Sequence, residues 1–128
     1  MEQQYYHLDS FELFGKKFYR IIILPDETVF IELNKTVKGC GSKPDGFFWK
    51  KVMEYGAIKW AVEELENFDF DAEKEAAIVC HESKDTLLQL CSKTFEMLEN
   101  PALFKSIIPE IQAISLRSDE DDLLDFQE

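Results

Sequence analysis

The chain has 128 residues, enough for one ordinary core without disulfide staples, and its 45% hydrophobic and 13% aromatic content is globular. Its formal charge is −12, from 26 acidic and 14 basic residues, which argues against nucleic acid or an anionic membrane as a partner. Three cysteines without a CxxC pair fit neither a disulfide framework nor a zinc finger, so reduced thiols in a cytoplasmic setting are expected.

The N-terminal MEQQYYHLDS has no basic or apolar leader signature, and no apolar run approaches spanning length. The first third reads as strands. Residues 10–14 (SFELF) alternate, with Phe11 and Leu13 on one face, and Gly15-Lys16 suits a tight turn. Residues 17–24 (KFYRIIIL) are β-branched and aromatic, as a central strand requires. Pro25-Asp26-Glu27 is a turn. Residues 28–33 (TVFIEL) then alternate again, with Val29, Ile31 and Leu33 on one side, which predicts a third strand and an antiparallel meander.

A loop rich in glycine follows, GCGSKPDG at residues 39–46, and leads into the aromatic run Phe47-Phe48-Trp49. It lacks GxGxxG and GK[ST], and Pro44 removes an amide donor, so phosphate binding is disfavoured. Asp45 is placed to cap a helix. Residues 47–65 carry helical spacing, read as one bent helix or as two pieces divided at Gly56. Three consecutive aromatics span too wide an arc for all to point inward, so one of Phe47, Phe48 and Trp49 should face out; Trp60 reads as core.

Residues 68–71 (FDFD) alternate as an edge strand or extended segment, and residues 76–81 (AAIVCH) form a short apolar run expected to be a buried strand. Ser83 should cap a helix over residues 84–99, with Asp85 favoured in its first turn. Asn100-Pro101 should stop that helix and start another over residues 102–108, ended near Pro109. Residues 110–116 suit a final strand or helix. The order β-β-β-α-(α)-β-α-α gives an α+β two-layer sandwich: a mainly antiparallel sheet of about four strands with helices on one face. Residues 1–116 read as one domain and 117–128 as an acidic, mobile tail.

Charge is concentrated. Residues 63–75 hold seven acids and one lysine, and residues 117–128 hold six acids and one arginine. Catalytic groups are sparse. Cys80 and His81 are neighbours, but alternate strand residues face opposite sides, so adjacency does not make a dyad. Two histidines without HxH or HxxxH spacing make a zinc or iron site improbable, and Asp69-x-Asp71 lacks the glycine of a calcium loop. No cofactor motif is present.

The glycine loop before Phe-Phe-Trp, followed by FDFDAEKEAAIVCHESKDTLLQLCSKTFEMLENPALFKSII over residues 68–108, resembles the immunity protein 51 family of bacterial polymorphic toxin systems. The resemblance spans about residues 19–108. It departs in the loop, where Cys40 stands in place of an expected Asn and residues 42–46 look inserted. It implies a small cytoplasmic protein, not an enzyme, that binds and neutralises a toxin domain by occlusion. The acidic charge suits a basic nuclease as that toxin. The expected interface is Glu63, Glu64, Glu66, Asp69, Asp71, Glu73 and Glu75, with Phe47 and Trp49 as anchors. The alternatives are a small ligand-binding or enzymatic domain using Cys80 and His81, or an accessory subunit of a phage or secretion system.

Overall fold

The computed structural model describes residues 4–114. Its elements are β1 (His7–Leu13), β2 (Lys16–Ile23), a 3-10 turn (Thr28–Phe30), α1 (Ile31–Gly39), α2 (Gly46–Trp60), a second 3-10 segment (Val62–Asn67), β3 (Asp69–Glu73), β4 (Ala76–His81), α3 (Lys84–Leu98) and α4 (Pro101–Gln112). The four strands make one antiparallel sheet in the order β1-β2-β4-β3. Two hairpins, β1–β2 and β3–β4, thus meet along β2 and β4. The fold is the α+β sandwich that the sequence pattern predicts.

One expected strand is helical. Residues 28–33 form the 3-10 turn and the start of α1, so the sheet's fourth strand is β3 and not this segment. Its alternation is genuine, but six residues satisfy both periods. Phe30 and Val37, two helical turns apart, are both fully buried, and Leu33 packs against the same core. Asn34 decides the outcome: its Nδ2 donates to the Pro25 carbonyl at 2.8 Å while its Oδ1 accepts from the Trp49 indole N–H at 3.1 Å. Tertiary contacts override the β propensity of Thr28, Val29, Phe30 and Ile31.

The helix starts are local. Asp45 accepts from the Phe48 amide at 3.1 Å, Ser83 from the Thr86 amide at 3.2 Å, and Asn100 from the Leu103 amide at 3.1 Å, each satisfying an orphan N–H. Residues 46–60 form one helix through Gly56. Gly56 is held against α3: a Cβ there would lie 2.0 Å from Thr94 Oγ1. That hydroxyl is buried and has no hydrogen-bond partner among the described residues. α4 also continues through Pro109, because the buried row Phe104, Ile107, Ile108 and Ile111 carries the helix past it. The predicted end near Pro109 is therefore corrected to Gln112. The acidic segment 117–128 lies outside the described residues.

The core lies between the helices and one sheet face. Ile21 and Val79 are paired, as are Ile23 and Ala77, and all four are buried. Glu54 is a charged residue in this interior, 3% exposed. Burial pushes its carboxyl up, and Lys50 and Lys51 pull it partly back. The folded chain therefore holds this proton to a higher pH than the unfolded chain. Glu54's contribution to stability falls as pH rises from the ordinary glutamate range through the raised folded value. Glu54→Gln is expected to raise the melting temperature at neutral pH by a few degrees and to flatten that decline. Thermal melts of both proteins between pH 4 and pH 8 check this; identical pH profiles would exclude Glu54 as the source.

Candidate functional site

β3 is an edge strand hydrogen-bonded only to β4, and its exposure alternates. Phe70 and Ala72 turn toward the helices, while Asp69, Asp71 and Glu73 stand in a row on the opposite sheet face. That face has no helix over it among the described elements. Its cross-strand rows follow from the register: Asp9, Arg20, Cys80 and Asp69 form one, and His7, Ile22, Ile78 and Asp71 the next. Half-buried Phe11, Phe18, Ile22 and Ile78 give this face an apolar centre, with the carboxylates at one margin.

Most of these acids are unneutralised. Arg20 grips Asp9 in a two-pronged pair, Nε to Oδ1 at 2.9 Å and Nη2 to Oδ2 at 2.7 Å, and lies 5.3 Å over the Phe11 ring. Hydrogen bonding from Arg20 holds the Asp9 carboxyl below its usual range. Of the seven acids at residues 63–75, Glu64 alone has a basic side-chain partner among the described residues. Glu63, Glu66, Asp69, Asp71, Glu73 and Glu75 are exposed. Asp71 also accepts from the Ala72 amide at 2.8 Å, which blunts the strand edge.

Glu64 has a structural task. Its Oε1 lies 3.0 Å from His81 Nε2 and 3.2 Å from Asn67 Nδ2. The Ser83 amide donates to His81 Nδ1 at 2.8 Å, which leaves Nε2 as the nitrogen that donates to Glu64. Hydrogen bonds from Asn67 and then His81 lower the Glu64 carboxyl. His81 itself is buried against Phe68, with ring centroids 4.7 Å apart. The sequence offers only a histidine at a strand end; no local signal pairs it with an acid seventeen residues earlier.

Cys80 and His81 are not brought together, because they occupy opposite faces of β4. Burial and then Asp69 push the Cys80 thiol up, the wrong direction for a nucleophile. Cys91 is buried and pushed up to about 12. Among the described residues, no group of three or more His, Cys, Asp or Glu side chains is placed to hold a metal ion, and no helix is long and apolar enough to cross a membrane.

The aromatic anchors sort differently from expectation. Phe47 is 48% exposed and remains a candidate contact. Trp49 is 0% exposed and is removed from the candidate interface: it packs on Phe30, Phe48 and Phe104, with ring centroids 4.9, 5.9 and 6.2 Å away. Trp60, read as core, is instead 52% exposed. It stands three turns beyond Trp49 on the same stripe of α2, where the stripe outruns the helices that cover it. Open grooves of 470 and 450 Å³ flank it, and Lys93 lies 6.0 Å over its ring. Compared with family models, curated proteins and solved structures, the chain has no match.

Proposed function

We propose that the chain is a cytoplasmic binding protein that captures a basic protein through its acidic sheet margin, as an immunity protein does when it occludes a bacterial toxin domain. The observation that carries this reading is the row Asp69, Asp71 and Glu73 on the open sheet face, with Glu63, Glu66 and Glu75 as further exposed acids in the segments that flank β3. These six carboxylates are exposed and without cationic partners among the described residues. Alternate strand residues stand roughly 6.7 Å apart, so the row is a regular anionic array beside an apolar centre. A basic cleft built for phosphates, as in a nuclease, has the complementary charge. Such a field speeds association and depends on salt. No catalytic step is part of the proposal. The resemblance to the immunity protein 51 family points the same way.

The test begins with the tagged chain as bait in its native host. A basic protein retained in equal amount, and toxic when expressed alone, is the expected partner. The variant Glu63→Lys, Asp69→Lys, Asp71→Lys should then lower the association rate at low salt by about tenfold or more and flatten its salt dependence. Glu64 is left intact, because reversing it would expose His81 to a new charge rather than test steering. An unchanged on-rate would take the acidic margin out of the interface.

A further inference from the structure

The β1–β2 hairpin outruns its sheet. β1 and β2 pair from His7 with Ile22 to Leu13 with Lys16, whereas β4 reaches only as far as Tyr19, opposite His81. Residues 16–18 and 11–13 therefore form a two-stranded finger that stands about 10 Å past the end of β4. Its shaft is braced. Phe11 and Phe18 stack at 5.5 Å, Lys16 pairs with Glu82 at 3.2 Å, and Lys17 lies 5.3 Å over Tyr19.

The tip breaks two local rules. Phe14 and Gly15 have φ of +54° and +77°, so both central residues of the turn sit in the left-handed region, as a type I′ turn requires. Asn or Gly suits the first of those positions; a phenylalanine there is strained. The strain brings no packing in return, since Phe14 is 98% exposed, and Leu13 beside it is 50% exposed. A strained, bare aromatic on a rigid shaft is a feature the fold neither needs nor benefits from.

We infer that the β1–β2 hairpin is a recognition finger that seats Phe14, with Leu13 beside it, in an apolar pocket of a partner protein. The occupant is the protein captured in the reading above, and the inference rests on that reading for it. A rigid aromatic loses little conformational freedom on burial, which is why such residues dominate binding energy at protein interfaces. A membrane is the lesser fit: one aromatic and one leucine bury little area in lipid, and the net charge of −12 opposes anionic headgroups.

The test uses two variants of the full chain, Phe14→Asn and Phe14→Leu, with the partner purified from the wild-type bait as the probe. Melting of Phe14→Asn alone should occur at or above the wild-type temperature, because asparagine suits the turn. Its Kd for the partner should rise about 30-fold or more, with Phe14→Leu in between. A lowered melting temperature would make Phe14 structural and overturn the inference, as would an unchanged Kd. Binding of the wild-type chain, but not Phe14→Asn, to vesicles of 30% phosphatidylserine would overturn it in favour of a membrane. If Phe14→Asn binds normally while the triple-lysine variant does not, the finger falls and the acidic margin stands. The reverse pattern removes the margin and keeps the finger. A wild-type bait that retains no stoichiometric protein overturns both.

Discussion

Gly46→Ala is expected to cost about 3–5 kcal/mol, a large part of the stability of a domain this size, and to lower the melting temperature by ten degrees or more. The first turn of α2 enters directly against the β3–β4 turn, where the Gly46 amide donates to the Lys74 carbonyl at 2.8 Å. A Cβ at Gly46 would lie 1.9 Å from the Glu73 carbonyl oxygen and 2.3 Å from that of Ala76. Both obstacles are backbone, so no side chain can swing aside. Either the helix start moves, with Phe48 and Trp49 behind it, or the hairpin opens. Gly39→Ala is the control, since nothing lies within 4 Å of a Cβ there. Urea unfolding of both variants decides the matter. A Gly46→Ala midpoint within the error of the wild type would show that the helix entry has slack that the close approach denies.

Trp49→Ala should destabilise by a similar 3–5 kcal/mol, the usual loss for a fully buried aromatic. Trp49 leads the large side chains that are fully buried, and its indole N–H ties α2 to Asn34. Trp49→Phe should cost less, since it keeps a ring against Phe30 and Phe104 and loses only the hydrogen bond and part of the volume. Phe47→Ala, half-exposed one residue earlier, should change stability by less than about 0.5 kcal/mol. Chemical denaturation of the three variants separates a core role from an interface role. If Trp49→Ala keeps its midpoint yet weakens partner binding, the core role of Trp49 is excluded.

The contrast between those neighbours shows what sequence could carry. The caps at Asp45, Ser83 and Asn100 were legible because capping is chemistry within four residues. The buried strand at residues 76–81 was legible because an apolar, β-branched run leaves few choices. Residues 28–33 were not, since the deciding contacts of Asn34 reach Pro25 and a tryptophan fifteen residues on. Trp49 and Trp60 share one helical stripe, so periodicity cannot say which lies under the helix layer and which runs past it. The sequence puts the turn at the tip one residue late, at Gly15-Lys16, because phenylalanine is a poor predictor of positive φ. The acidic margin was visible as charge, but the separation of Glu64 from the other six depends on where His81 comes to rest.

The seam between β2 and β4 governs how this chain can assemble. Each hairpin closes between near neighbours, β1 with β2 and β3 with β4, so each can form early at small entropic cost. The seam joins Ile23 to Ala77 and Tyr19 to His81, across everything that α1 and α2 contribute. It must therefore wait for α2 to lie down, and Gly46 is where that helix meets the second hairpin. Until then two short sheets each offer an open inner edge, β2 on one with its run Ile21–Ile23 and β4 on the other with Ala76 to Val79. The apolar strands at greatest risk of joining a neighbouring chain are the two that end at the centre of the finished sheet.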